Sequence, residues 1–151
     1  MIAVIQRVSH ASVSVEGQTV GKCGKGLCVL LGVAKDDSHE DSDALVRKIL
    51  NLRIFSDDGG KMNLSVVDVR GEMLVISNFT LLAAYKKGNR PDYMGAAAPA
   101  DAKELYEYFA ECCKCFVPTE CGIFGADMAV DIANDGPVTI VMDSRVLLGK
   151  A

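Results

Sequence analysis

The stretch "LCVLLGV", residues 27–33, decides the fold, because all its side chains but that of glycine are apolar. A short apolar run bounded by turn residues is typical of a strand that is covered on both faces. Gly24 and Gly26 supply the turn that precedes it. A strand buried on both faces needs a layer of structure on each side. The stretch therefore predicts the centre of a sheet with helices packed on it.

Further strands are predicted both before and after this central strand in the sequence. Residues 2–15 alternate like one long strand or a bent pair, and Glu16-Gly17 marks the turn that ends it. The segment "EMLVISNFTLLA", residues 72–83, is a second strongly apolar strand. Three more strands are predicted at residues 19–23, 123–133 and 138–142.

Helical spacing is found in two places. In residues 36–53, apolar side chains recur behind an acidic start that suits a helix N-terminus. These are Leu45, Ile49 and Leu52.

The second helix follows Pro99, where Asp101 and Glu104 resemble a capping box. Its apolar stripe is predicted to contain Leu105, Phe109, Cys112 and Phe116.

These elements predict one α+β domain over residues 1–151, a size at which a single domain buries a sizeable core. The predicted sheet is compact, largely antiparallel and barrel-like, because strands cluster at both ends of the chain, and two main helices flank it. The composition, 50% hydrophobic and 24% charged, is that of a globular protein.

Charge and hydropathy limit the partners. A net charge of −4 argues against a protein that coats nucleic acid, so no DNA partner is expected. Contact with only the end of an RNA stays open, since few phosphates would need neutralising. No apolar run is long enough for a membrane span. The first residues favour a strand over a signal peptide, so the cytoplasm is the expected compartment.

The six cysteines do not predict a metal site. Four of them lie in "CCKCFVPTEC", residues 112–121, a spacing that gives no separated pairs, and His10 and His39 are remote in sequence. Reduced, mostly buried thiols are expected instead, with no metal and no cofactor.

Conventional catalytic groups are also missing from the sequence. His10 alternates with Ser12 and Ser14 on the solvent side of a strand, and His39 lies in an acidic helix start. Neither predicts a base for a serine or cysteine nucleophile. Three other places are candidates for a functional site: Arg7, the segment "SNFT" at residues 77–80, and "NDGPVTIV" at residues 134–141.

Each of these places has two interpretations. Without a bulge in the first strand, Arg7 shares an apolar face with Ala3 and Ile5, and its guanidinium needs partners such as the backbone carbonyls of a turn; with a bulge or at an edge it does not. "SNFT" either lines a pocket at the sheet edge or satisfies its hydroxyls locally. Gly136-Pro137 is either a rigid device aimed at a ligand or a turn with a trans bond.

In combination, these segments resemble the D-aminoacyl-tRNA deacylase family. The order of "MIAVIQRV", "RIFSDDGGKMNLSV", "SNFTL", "GNRPDY…AAAP" and "NDGPVT" matches that family over about residues 1–142. The family's pair of patterns, S-Q-F-T and N-x-G-P-V-T, which this chain matches except at Asn78, is far more specific than any single glycine pattern.

The resemblance implies a homodimer that hydrolyses the ester between a tRNA 3′ end and a D-amino acid, and that also accepts glycine, including glycyl-tRNA mischarged on tRNA(Ala). It implies that Gly136-Pro137 is cis, enters the partner's pocket and excludes L-amino acids, while Arg7 holds this motif in orientation. The pocket motif would be Ser77, Asn78, Phe79 and Thr80. Catalysis would rely on the RNA 2′-hydroxyl and on a main-chain oxyanion site.

Two positions depart from the family pattern. Asn78 stands where glutamine is usual, and its amide is one methylene shorter, which bears on substrate range and rate. Asp92 stands where serine is frequent. Between the two main motifs, Lys86, Lys87 and Arg90 are candidate phosphate contacts, with a solvated charged loop as the alternative.

Two other functions stay open at this point. One is the related editing module of threonyl-tRNA synthetases, which is normally fused to a synthetase, so that a chain ending near residue 151 is expected to differ from it. The other is a non-catalytic RNA-end-binding domain of the same fold, which the departure at Asn78 keeps open.

Overall fold

The computed structural model describes residues 1–150 and has eight strands and three α-helices. The strands are β1 (Ile2–Val15), β2 (Gln18–Cys23), β3 (Gly26–Gly32), β4 (Phe55–Ser56), β5 (Met62–Leu64), β6 (Glu72–Ser77), β7 (Thr119–Cys121) and β8 (Ala129–Asp143). The helices are α1 (His39–Leu50), α2 (Pro99–Lys114) and α3 (Ser144–Leu147), with a 3-10 helix at Phe79–Leu82. In residues 1–150 no helix has the length and apolarity needed to cross a membrane.

The long strand β1 organises the main sheet. One of its edges pairs with β8 along almost the whole strand. The other edge pairs with β3 over residues 2–8 and with β2 over residues 11–15. These pairs are antiparallel, whereas β3 pairs in parallel with β6, and β6 with β7.

The far ends of this sheet approach each other. The backbone N–H of Lys22 in β2 donates a hydrogen bond of 2.7 Å to the carboxylate of Glu120 in β7. The sheet is therefore mixed and curls into a nearly closed, barrel-like shape. The predicted α+β class and barrel-like sheet are confirmed.

The central apolar stretch forms β3 and is buried on both faces, as predicted. Leu27, Val29 and Leu31 pack into the larger core with α1 and α2, while Cys28 faces a smaller core inside the curled sheet. At the start of β3, a Cβ on Gly26 would lie 1.8 Å from the carbonyl oxygen of Glu72. Only glycine lets the two parallel backbones approach this closely.

The alternation of β1 is irregular around Val8. The fully buried side chains run from Ala3 and Ile5 to Val8 and then to Val13. The register with β8 shifts on both sides of Val8. A shift of one residue exchanges the two faces of a strand. Up to Val8 the register with β3 is regular and Arg7 lies opposite Leu27, so Arg7 shares the face of Ala3 and Ile5 that points to the larger core. Beyond Val8 the two faces are exchanged, and Ala11 and Val13 lie with Val8 in the smaller core.

The first helix begins where the acidic segment predicts it. The backbone N–H of Ser38 donates to the Asp41 carboxylate at 3.0 Å, which satisfies a donor at the helix start. The helix ends at Leu50, so Leu52 lies past its end and is only partly buried.

The second helix begins earlier than predicted. Pro99 occupies its first turn and Ala98 is the N-cap, so the expected capping box at Asp101 and Glu104 is wrong. Proline suits this position because its ring fixes φ and the missing N–H would have no helical partner there.

The buried face of α2 contains Leu105 and Phe109, as predicted, together with Tyr106, Ala110 and Cys113. Phe116 lies beyond the helix end and is 64% exposed, so its place in the apolar stripe is wrong.

The last two predicted strands are one continuous strand. β8 runs from Ala129 to Asp143, and residues 123–128 form a turn rather than the start of a strand. Residues 134–137, whose composition is typical of a turn, therefore lie within a long paired strand. The register of this strand with β1 shifts at that point.

Candidate functional site

The segment "SNFT" lies where β6 leaves the sheet. The N–H of Asn78 donates to the carbonyl of Leu31 at 2.8 Å, and the chain then turns into the 3-10 helix Phe79–Leu82. The predicted strand over residues 72–83 therefore ends at Ser77. Phe79 and Thr80 are exposed, although the strand before them is buried.

This turn forms one wall of an open cleft of about 720 Å³, which all four residues of the segment line. The cleft lies between the end of β6, the start of α2 and the inner side of β8. Its apolar walls include Leu30, Ile76, Phe124, Met128, Val130 and Ile132. Asp127 is the one charged residue among those that line it. A mostly apolar cleft with a few polar groups is typical of a ligand site.

The polar groups of the segment are arranged locally. The Thr80 hydroxyl donates to the side-chain carbonyl oxygen of Asn78. The N–H groups of Phe79 and Thr80 lie at the start of the 3-10 helix, where a helical N–H has no intrahelical acceptor. The turn therefore presents two main-chain donors next to a carboxamide. Such a set can stabilise a developing oxyanion.

Arg7 contacts the second conspicuous motif. Its Nε donates to the carbonyl of Asp135 at 3.0 Å, and its Nη1 donates to the carbonyl of Ile54 at 2.6 Å. Only 13% of its side chain is exposed. Backbone carbonyls thus accept hydrogen bonds from the planar guanidinium group, as expected for a largely buried arginine.

The peptide bond between Gly136 and Pro137 is cis, and both residues are exposed. The φ of Gly136 is +139°, and a Cβ there would lie 2.8 Å from Val138 Cγ2 and 3.1 Å from Arg7 Nη2. The side chain of Asn134 accepts the N–H of Val138 at 2.8 Å and donates to Thr139 Oγ1 at 2.9 Å. The side chain of Asn134 therefore fixes the conformation of the turn. This role was not predicted from the sequence, although asparagine is frequent in turns for this reason.

The structure brings the predicted site residues together in two separate groups. Residues 77–80 line the cleft, whereas Arg7 and the turn around Gly136-Pro137 do not line it within the same chain. The cleft wall formed by Phe124 and Met128 was also not predicted from the sequence. Its only sequence signal was the small and polar segment "FGADM", residues 124–128, before a strand.

The candidate RNA-contacting residues lie in an exposed loop beside the cleft. Ala84 and Asp92 close this loop through paired backbone hydrogen bonds of 2.7 and 2.8 Å. Lys86, Lys87 and Arg90 are exposed within it. Just past the loop, the ring of Tyr93 meets that of Phe79 edge to face at 5.2 Å, which joins the loop to the cleft.

The thiols are reduced in the structure, and several are buried. Burial raises the pKa of Cys23 to about 11 and those of Cys28 and Cys113 to about 12. These groups are therefore neutral thiols at neutral pH and poor nucleophiles. Residues 1–150 contain no cluster of three or more histidine, cysteine or acidic side chains that could hold a metal ion.

Comparison with known proteins gives a consistent result. The family described as D-Tyr-tRNA(Tyr) deacylase matches residues 4–143. Proteins named D-aminoacyl-tRNA deacylase from Persephonella marina and Haemophilus influenzae are similar in sequence. The first is 55% identical over 147 residues, 97% of this chain and 100% of the relative. The second is 56% identical over 139 residues, 92% of this chain and 96% of the relative.

Two solved structures share the fold. A protein named c-Myc DNA unwinding element binding protein has a TM-score of 0.89 at 45% identity, covering 95% of this chain and 98% of the other. A probable eukaryotic D-amino acid tRNA deacylase has a TM-score of 0.81 at 16% identity, covering 94% and 98%, and shows the fold alone.

The family model and the named relatives thus place the chain, with its α+β fold, among enzymes of the hydrolase class. Within that class, it belongs to the D-Tyr-tRNA(Tyr) deacylase family.

Proposed function

We propose that the chain hydrolyses the ester bond of D-aminoacyl-tRNA and of glycyl-tRNA, including glycyl-tRNA mischarged on tRNA(Ala). The observation that carries this proposal is the turn at residues 77–80, which presents main-chain donors at the wall of a cleft. An ester carbonyl seated there would meet donors aimed at its developing oxyanion. The names of the relatives support the same substrate class.

The chain's role in the reaction is to position the ester and stabilise charge. The N–H groups of Phe79 and Thr80 hold the oxyanion, and the Asn78 carboxamide orients the ester beside them. The 2′-hydroxyl of the terminal adenosine lies next to the ester and orients or activates the attacking water. No protein side chain attacks, because the Thr80 hydroxyl donates to Asn78 and neither histidine lines the cleft.

Chiral selection is proposed to work across a homodimer. Gly136-Pro137 is exposed and lies outside the cleft of its own chain, so it is free to enter the cleft of a second copy. β8, which carries it, pairs along one edge with β1, and the exposed edge of such a strand favours association. In that position the main chain would clash with an L side chain and leave room for a D side chain or none.

The experiment is a cleavage assay with D-aminoacyl-, L-aminoacyl- and glycyl-tRNA, run with purified protein of measured oligomeric state. Cleavage of the D and glycyl esters without the L ester supports the proposal. Cleavage of L-seryl-tRNA(Thr) would instead indicate the synthetase-type editing activity. Binding of RNA ends without any cleavage would indicate the non-catalytic alternative.

A second measurement separates the two possible roles of Thr80. If Thr80 only supports Asn78, Thr80→Ala should keep activity within about tenfold of the wild type, since one neutral hydrogen bond contributes about 1 kcal/mol. Thr80→Ser is the matched control that keeps the hydroxyl. Complete loss in Thr80→Ala with full activity in Thr80→Ser and intact folding would make Thr80 a nucleophile and overturn the proposed mechanism.

Contacts to the RNA backbone are assigned to Lys86, Lys87 and Arg90. They lie in the loop that begins two residues after the 3-10 helix, and this loop joins the cleft through the Phe79–Tyr93 contact. Phosphates close to the esterified end would therefore meet positive charge on an otherwise acidic chain.

A further inference from the structure

Three exposed large side chains lie close together in sequence beside the loop that adjoins the cleft. Tyr85 is 80% exposed, Met94 is 70% exposed and Tyr93 is 37% exposed. None of them belongs to either hydrophobic core. Tyr85 and Met94 are too exposed to contribute much to folding, and together with Tyr93 they form an exposed patch of the kind that binds a ligand. We call Tyr85 and Tyr93 the aromatic platform, and Met94 lies beside it.

The platform is held in place by the backbone. The Ala84–Asp92 hydrogen bonds bring Tyr85 and Tyr93 to the same closed end of the loop. The Asp92 carboxylate accepts the N–H of Met94 at 2.7 Å, which orders the chain past the closure. The platform therefore costs little ordering entropy when a ligand binds.

The platform continues directly from the cleft. Phe79, which lines the cleft, meets Tyr93 edge to face with ring centroids 5.2 Å apart. A chain molecule whose end lies in the cleft would therefore pass over Tyr93 on its way out.

The positive charge of the loop indicates which kind of chain-like ligand would bind there. Lys86, Lys87 and Arg90 lie between the two tyrosines in sequence, and none of them forms an ion pair within residues 1–150. The chain as a whole carries a net charge of −4, so this loop is a local basic surface. Aromatic rings interleaved with cations are the combination that binds single-stranded nucleic acid, since bases stack and phosphates pair.

We propose that the aromatic platform binds the single-stranded pyrimidine nucleotides that precede the terminal adenosine of the tRNA, with a base stacked on Tyr85 and another against Tyr93. This inference rests on the proposed function, because it takes the esterified adenosine to lie in the cleft. It assigns the platform a contribution to substrate binding and none to the chemical step.

The test compares two substrates that share the ester and differ in the platform's ligand. One is a D-aminoacyl-tRNA, and the other is the 3′-O-D-aminoacyl ester of adenosine, which has no preceding nucleotides. Tyr85→Ala should raise KM for the tRNA by roughly 5- to 150-fold, the range that loss of one base–aromatic stack produces. The value of kcat for the tRNA, and both constants for the adenosine ester, should stay within about twofold, since no stack is then lost.

Matched variants show whether stacking is responsible. Tyr85→Phe keeps the ring and should bind the tRNA like the wild type. Phe116→Ala removes an aromatic residue that is 64% exposed beyond the opposite end of α2, about 24 Å along the helix axis at 1.5 Å per residue, and should leave KM unchanged. Equal loss on both substrates, or no loss on either, overturns the proposal.

A binding measurement keeps this test separate from that of the proposed function. The unacylated oligonucleotide ACCA should bind the wild type more tightly than adenosine does, and Tyr85→Ala should remove most of that difference. This result does not depend on whether any ester is cleaved. If Tyr85→Ala instead dissociates a dimer and leaves ACCA binding unchanged, the platform is an interface between two copies of the chain and the proposal is wrong.

Discussion

At the residue scale, Arg7 shows how one side chain joins distant segments. It bonds the carbonyls of Ile54 and Asp135, which lie far apart in sequence and close together in the fold. Its guanidinium also lies against Gly136, where even a methyl group would come within 3.1 Å of Nη2. Arg7 therefore limits the positions that the exposed turn can take.

Replacing Arg7 with alanine should loosen this turn. Two hydrogen bonds from a charged donor are lost, so the free energy of unfolding should fall by about 1–3 kcal/mol. Under the proposed function, L-aminoacyl-tRNA should then be cleaved measurably, while cleavage of D-aminoacyl-tRNA should stay within about tenfold. The ratio of kcat/KM for the two stereoisomers, together with urea unfolding, measures both effects.

Two variants serve as controls for Arg7→Ala. Arg7→Lys keeps the charge but has no planar fork to reach both carbonyls, so it should restore selectivity only in part. His10→Ala changes an exposed side chain of the same strand and should leave selectivity unchanged. An unchanged stereoisomer ratio in Arg7→Ala would contradict the orienting role.

At the element scale, a buried polar network joins the start of α1 to α3. The hydroxyl of Ser144, which is fully buried, donates to Asp41 at 2.7 Å and accepts from the Met1 ammonium at 2.6 Å. Burial by itself would raise the pKa of Asp41. The hydrogen bonds from Ser144 and Ser38 and the nearby ammonium outweigh it, so the pKa of Asp41 is lowered.

This lowered pKa predicts how Asp41 contributes to stability as pH changes. The ionised carboxylate stabilises the fold above its ordinary pKa of 3.8, and the contribution is lost as pH falls through the lower native value. Asp41→Asn should therefore be less stable than the wild type by about 1–3 kcal/mol at neutral pH, with a difference that shrinks in acid. Urea unfolding at a series of pH values measures this difference.

Asp36→Asn is the control for Asp41→Asn, because Asp36 is exposed next to the same helix start. It should leave the free energy of unfolding at neutral pH unchanged, where Asp41→Asn lowers it. A difference between Asp41→Asn and the wild type that stays constant down to the most acidic pH would show that the charge of Asp41 is not what stabilises the junction.

At the scale of the whole molecule, the distribution of charge argues against extensive contact with RNA. The chain carries a net charge of −4, and its candidate phosphate contacts are confined to the loop of Lys86, Lys87 and Arg90. Attraction to a tRNA should therefore be local to its 3′ end and only moderately dependent on salt.

The salt dependence of tRNA binding tests this distribution. Three contacts to a single strand predict that the logarithm of the association constant falls against the logarithm of salt concentration with a slope of about −2. Replacing Lys86, Lys87 or Arg90 with alanine should each reduce the slope by about 0.7, since each removes one phosphate contact. Titration of uncharged tRNA at several salt concentrations gives the slope.

Lys48→Ala is the control for these variants, because Lys48 is an exposed cation on α1, away from the loop. It should leave the slope unchanged. A slope several times steeper in the wild type would mean that the RNA also contacts surfaces outside the loop.

Local patterns in the amino-acid sequence determined several elements of this fold by themselves. The apolar run 27–33, the periodicity of α1 and the buried positions Leu105 and Phe109 follow from rules that act over a few residues. Each of these features depends mainly on neighbours along the chain, so one sequence is enough to predict it. The motifs "SNFT" and "NDGPVT" were found through the resemblance to a family, and the roles of their residues stay predictions.

Only the tertiary structure decided the features that depend on contacts between distant segments. The register shift at Val8 exists because β1 must pair with β3 and β2 on one edge and with β8 on the other. β8 is one strand instead of two because β1 is long enough to pair across the turn at Gly136-Pro137. Burial, pairing and the partners of Arg7 are set by segments that meet only after folding, and no local pattern encodes such a meeting.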